Sequence, residues 1–218
     1  MNPQTTDPID DDSAPTESAV SRKAKAKPGQ RRMEILQAFA AMLEQPMAER
    51  VTTAALAKRL GVSEAALYRQ FASKAQMLDA LITFTEDSLL GLAAKVGEPG
   101  ADGVDGRAAC GQIVWLALQF AQANPGMVRV LVGDALVFEQ ARLTERAGLL
   151  FEKLEAVLRA HWRHWAGQQG LATPTADAQV RAALLLIYLR GVLHAFVRSD
   201  WKHLPTQGSD AHLETLLG

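Results

Sequence analysis

The chain has 218 residues, 48% of them hydrophobic, with few aromatics and a formal net charge of −1. That is enough to bury a sizeable core in one or two domains, and the Ala- and Leu-rich composition, with no alternating strand pattern, points to an all-α fold. The lone cysteine, Cys110, excludes an intrachain disulfide and a cysteine zinc cluster; with no secretory signal at the polar, acidic N-terminus, a cytoplasmic location is expected.

The charge is unevenly spread. Residues 1–21 carry five acids and no base, and residues 22–74 carry eleven Lys/Arg against four acids, a net of +7. Residues 75–218 carry twelve bases against fifteen acids, a net of −3. A basic block confined to one short segment suggests a polyanion-binding module on a near-neutral body.

In chain order, residues 1–29 lack large apolar side chains and are expected to form a disordered tail, acidic and then basic. Its basic arm, Arg22, Lys23, Lys25 and Lys27, is of the kind that tracks a nucleic-acid backbone or enters a minor groove, or else a solubilising tail. A helix is predicted from Gln30 to Glu44, with Met33, Leu36, Phe39, Ala40 and Leu43 on its buried face. Thr52 or Thr53 caps a short helix over 54–60. Gly61 follows where a left-handed residue is required, and Ser63 caps a second short helix to about Phe71. Ser73 caps a long helix over 74–96. Helices are further expected over 107–123, about 127–138, 139–165, 176–200 and 208–217, with loops at 97–103 and 166–175. The longest apolar run, 182–197, is short for a membrane span and holds Arg190 and His194, so no membrane insertion is expected.

Two short helices joined through a glycine turn within a basic segment form a helix-turn-helix pattern. Leu67 and Phe71 turn inward, which leaves Ser63, Ala65, Ala66, Arg69 and Gln70 on other faces and Tyr68 near the edge. Alanines let a helix backbone approach base edges. Gln70 or Arg69 is placed to read them, Gln favouring adenine and Arg guanine. Thr52, Thr53, Ser63, Tyr68 and Lys74 are the residue types that contact phosphates, and Arg31 and Arg32 add positive charge beside them. The predicted organisation is therefore a tail (1–29), a DNA-binding domain (30–74) and a helical dimerisation and partner-binding domain (75–218).

TTAALAKRL (52–60) followed by GVSEAALYRQFASK (61–74) resembles the reader of the TetR-type regulators, all-helical homodimers with a larger C-terminal domain. The usual family pattern has His and Pro where this chain has Gln70 and Ala72. RRMEILQAFAAMLE (31–44), ITFTEDSL (82–89), NPGMVRVLVGDALVFEQARL (124–143) and FVRSDWKHLPT (196–206) resemble a narrower group, the nucleoid occlusion factors of Gram-negative bacteria. The last two segments lie outside the reader and are the specific part. The resemblance implies a homodimer on palindromic chromosomal sites. It also implies a partner, the tubulin-like cell-division GTPase, met by the helix after the reader and the one that follows it. Matching positions are Phe84, Leu116 and Asn124; Gln119 and Ala123 share that face but depart from the pattern.

Helix 176–200 is apolar on nearly all sides. A second copy packing on Leu184, Ile187, Tyr188 and Val192, together with helix 139–165, would cover it. Trp115, Phe120, Met127 and Phe138 are expected to be core, with a ligand pocket, as in a ligand-responsive repressor, as the alternative. His161 and His164 are read as a solvated pair rather than a metal site. No cofactor and no metal are expected. No phosphate loop, nucleophile elbow or His–Glu metal motif is present in the sequence, so an enzyme is not expected.

Overall fold

A computed structural model describes residues 28–45 and 51–218. The acidic stretch and the basic arm 22–27 lie outside the described residues. Described in chain order are α1 (Pro28–Leu43), α2 (Thr53–Leu60), α3 (Glu64–Tyr68), α4 (Lys74–Val96), α5 (Gly106–Ala123) and α6 (Pro125–Leu131). A 3₁₀ turn (Asp134–Leu136), α7 (Ala141–Gln168), α8 (Pro174–Arg198) and α9 (Ser209–Leu217) follow. No strand occurs among the described residues.

Local signals set most of these bounds. Thr52 is the cap that forms, its hydroxyl accepting from Ala55 N at 3.1 Å. Gly61 adopts φ 64°, which closes α2 and turns the chain into α3. Ser63 and Ser73 cap α3 and α4. Three expectations are corrected. First, α1 begins at Pro28, and its buried stripe runs through Ile35, Leu36, Phe39, Ala40 and Leu43, while Met33 stays exposed. Second, α3 ends at Tyr68 rather than Phe71, although Phe71 is buried as expected. Third, the expected loop over 166–175 shortens to 169–173, because α7 runs to Gln168 and α8 starts at Pro174.

One apolar cluster packs Ile35, Phe39, Leu56, Leu67, Phe71, Leu78 and Ile82 and continues into Met127, Val130, Leu136 and Leu143. A second packs α5, α7 and α8 around Leu118, Leu154, Trp162 and Leu185. Phe120 touches both. Helix α8 spans 25 residues and is apolar and long enough, by length and composition, to cross a membrane. Its length exceeds the run seen in sequence because Pro174 opens it eight residues earlier. Its Ala178, Ala182, Leu185 and Leu189 face is fully packed into the second cluster, as in a core helix.

Close backbone approaches fix two crossings. A Cβ on Gly126 would lie 2.0 Å from the Ala40 carbonyl oxygen, so α6 meets α1 where only glycine fits. A Cβ on Gly106 would lie 2.2 Å from the His161 carbonyl oxygen, which sets α5 against α7. Across α4 and α7, buried Glu86 accepts from both Arg146 and Lys153. Burial pushes its carboxyl up, but those two hydrogen bonds and charges prevail and hold it below its ordinary value.

Candidate nucleic-acid interface

The recognition segment is held on a small scaffold. Leu67, inward on α3, and Phe71 beyond it are each 1% exposed. The remaining surface of α3 therefore faces outward. Ala65, Tyr68 and Arg69 are exposed, and Ala66 and Gln70 are half-buried. Arg32 of α1 donates to the Gln70 carbonyl, and its guanidinium lies 4.0 Å from the Phe71 ring centroid. Arg32 thus ties down the end of the recognition segment, with part of its donor set already used. Arg31 pairs with Glu34 at 2.9 Å.

The hydroxyl groups divide into two kinds. Thr52 and Ser63 are exposed, and their oxygens accept from the first turns of α2 and α3, which leaves each O–H to donate elsewhere. Thr53 instead donates to Glu64 at 2.8 Å and sits 3.3 Å from the Tyr68 hydroxyl. This link across the turn holds Glu64 beside the α3 N-terminus, where a carboxylate is favoured. Lys74 opens α4 and pairs with Glu139 at 2.8 Å, both side chains largely buried. Sequence reasoning placed Lys74 at the interface but had no means of seeing a partner 65 residues away.

The face formed by α2, α3 and the start of α4 thus carries exposed Thr52, Ser63, Ala65, Tyr68 and Arg69, with Lys58 and Arg59 also exposed on α2. It offers a small-residue helix surface flanked by donors and positive charge, which suits a major groove and its phosphates.

The other predicted positions are dispersed. Phe84 is exposed on α4, and Leu116 is half-buried on α5. Asn124 donates to the Phe120 carbonyl at 2.7 Å and finishes α5. On α8, Ile187 is 67% exposed and Leu184 41%, with Tyr188 and Val192 half-buried, so a strip of this apolar helix is uncovered. Tyr188 meets His212 of α9 at 3.3 Å beside that strip.

The four residues weighed as a pocket do not converge. Trp115 lines a shallow depression of about 310 Å³ with Gln119, Gln122 and Thr206. Phe138 is 78% exposed near Lys74 and Arg129, and Met127 belongs to the core that holds the reader. The solvated histidine pair is also corrected. His161 is 1% exposed, because α5 crosses α7 over it, and burial lowers its pKa from the ordinary value. No cluster of three or more metal-ligating side chains occurs among the described residues.

The fold and this face define a two-domain helical protein carrying a helix-turn-helix reader of TetR type. Residues 35–81 match the family described as bacterial regulatory proteins, tetR family, and residues 107–217 match the SlmA-like family described as tetracyclin repressor-like, C-terminal domain. The nucleoid occlusion factor SlmA of Vibrio cholerae is 45% identical over 84% of this chain and 91% of its own. That of Klebsiella pneumoniae is 46% identical over 83% and 90%. The chain belongs to the SlmA family of nucleoid occlusion factors. Among solved structures, the TetR-family regulator PfmR of Thermus thermophilus shares the fold, with a TM-score of 0.67 at 22% identity, covering 84% of this chain and 96% of that one.

Proposed function

We propose that this chain is a nucleoid occlusion factor, a cytoplasmic, nucleoid-associated homodimer. Its dimers bind palindromic DNA and, once bound, antagonise assembly of the tubulin-like division GTPase over the chromosome. The observation that carries the reading is similarity well beyond the reader, 43–46% identity to named nucleoid occlusion factors over most of the chain. The reader's chemistry supports DNA as the first partner. Ala65 and Ala66 allow close approach, Gln70 or Arg69 reads base edges, and Thr52, Thr53, Ser63, Tyr68, Arg31 and Arg32 position the backbone. Lys74 joins them by exchanging Glu139 for a phosphate.

The uncovered α8 strip, Leu184, Ile187, Tyr188 and Val192, supports an isologous dimer, which a palindrome requires. Phe84, Leu116 and Asn124 are the residues assigned to the division partner. Neither function needs an enzyme, a metal or a cofactor.

A chromosome-wide occupancy map in growing cells tests the reading. Dozens of palindromic sites, sparse near the replication terminus, are expected. One or two promoter sites instead would mark a conventional repressor. Two variants separate the partners. Ala66→Leu should abolish DNA binding, and Phe84→Ala should keep it while losing the block to division. Loss of DNA binding in Phe84→Ala would remove that residue from the partner surface.

A further inference from the structure

The two sequence segments that set this chain apart outside its reader, 124–143 and 196–206, converge on one place, the C-terminal end of α1. Gly126 brings α6 against the Ala40 carbonyl. Arg129, 7% exposed, donates from one guanidinium nitrogen to the carbonyls of Leu43 and Gln45, each at 2.9 Å. Its Nε lies 3.1 Å from an Asp134 carboxylate oxygen, off the N–H direction, so that contact is a charge pair rather than a hydrogen bond. The guanidinium also lies 5.1 Å from the Trp201 ring centroid. The Trp201 indole N–H in turn donates to the Glu44 carbonyl at 2.7 Å, 157 residues away in sequence. Three successive carbonyls, that of Leu43 at the end of α1 and those of Glu44 and Gln45 just beyond it, are therefore capped by side chains of the other domain.

The Trp201 backbone is strained. Asp200 and Trp201 adopt φ of 48° and 68°, the left-handed region that a bulky side chain rarely enters. The turn is held by backbone bonds from Asp200 N to Val197 O and from Trp201 N to Phe196 O, and by the ring contact with Phe196 at 4.9 Å. Strain of this kind persists only where the surroundings over-determine it, and it concentrates where position matters. Here the turn delivers an indole to the end of the helix that carries Arg32, which itself grips the recognition segment.

We infer that Arg129 and Trp201 are positioning residues for DNA recognition. They clamp α1 to the body, and so fix the tilt of each reader and the separation of the two recognition helices in the dimer. The inference rests on the palindromic-dimer reading above. Its consequence is a sharp preference for one half-site spacing. A one-base-pair insertion moves a half-site by about 3.4 Å and turns it by about 35°, and a rigid clamp cannot follow.

The test uses full-length protein and operators selected from random DNA by the wild-type chain, with half-site spacings from −2 to +2 base pairs and a single half-site as control. Trp201→Phe keeps the ring but removes the indole donor. Arg129→Lys keeps the charge but removes the planar fork, and reports independently if the first variant folds poorly. Wild type should favour its own spacing by at least tenfold over neighbouring ones. Both variants should lose that preference to about twofold, with single-site affinity and helical content unchanged. A preserved spacing ratio in both would overturn the inference. So would an equal loss on the single half-site, which would mean the residues serve only the reader's folding. Absence of any spacing preference in wild type would sink the palindromic-dimer reading, and the inference with it.

Discussion

Substituting Gly126 by alanine isolates the junction between reader and body with one methyl group. In a helix, Gly→Ala ordinarily stabilises by about 1 kcal/mol through backbone entropy. At Gly126 the new Cβ would sit 2.0 Å from the Ala40 carbonyl oxygen and 2.9 Å from its carbon. These are backbone atoms in the last turn of α1, so no side-chain rotation relieves the clash and α1 must move away from α6. Overpacking of this kind costs about 1–3 kcal/mol, and a backbone obstacle puts it at the upper end. Net of the propensity gain, the expected loss is about 1–2 kcal/mol, or about 3–6 °C in Tm for a chain of this size. Gly91→Ala is the control. It lies in α4 with nothing within 4 Å of an added Cβ, so the same chemical change should raise Tm by about 2–3 °C. Thermal unfolding followed by circular dichroism, on both variants in one buffer, reads the opposite signs. A Gly126→Ala protein as stable as wild type would refute the close packing of α1 on α6.

Four further outcomes follow from the structure. Ile187→Asp puts a charge in the middle of the uncovered α8 strip and should yield a monomer by light scattering; a dimer of unchanged mass would remove α8 from the interface. Burial pushes the Cys110 thiol up to about 12, so it should resist alkylation at pH 8 in the native state and react once denatured; rapid native labelling would contradict the packed core around it. Glu86 is held below its unfolded value, so its contribution is full above that value and is lost as pH falls through the lower folded one. Glu86→Gln should therefore cost stability at neutral pH and little in strong acid, as chemical denaturation across pH would read. His161, with its pKa lowered by burial, acts in the same sense at higher pH: its neutral form is favoured in the fold, and stability falls as pH drops below about 6.5, the unfolded value.

How far the sequence could be read depended on whether the deciding contact was local. Caps at Ser63 and Ser73 and the left-handed Gly61 were legible because each acts within four residues, and α4 falls at its expected bounds. The end of α7, expected at 165, lies instead at Gln168. Gly167 stays helical, and the left-handed residue is Gly170, at φ 70°. The early end of α3 and the buried Ile35 in place of Met33 depend on which elements come to lie against α1 and α3, and periodicity alone does not supply that. The exposed reader residues were legible as residue types. The engagement of Lys74 with Glu139, of Thr53 with Glu64 and of Arg32 with the Gln70 carbonyl was not, since charge and spacing do not reveal a partner's position.

Those engagements change what the reader is. Read from sequence, its cations and hydroxyls are a set of independent DNA contacts. In the fold, several of them are struts. Arg32 braces the recognition segment, Thr53 braces the turn, and Lys74 leans on a body residue, Glu139, of the same segment that supplies Gly126 and Arg129. A phosphate that draws Lys74 away from Glu139 therefore acts on the junction as well as on the reader. On the proposed function, this would give DNA binding a physical route to the body, where Phe84, proposed for the partner surface, follows on α4, ten residues after Lys74. A double-mutant cycle between Lys74→Ala and Glu139→Ala, read as affinity for DNA, measures the exchange. If Glu139 competes with phosphate for the ammonium, Glu139→Ala should tighten binding when Lys74 is present and have no effect when it is absent. Equal effects in both backgrounds would mean that the pair is structural and that the two contacts do not communicate.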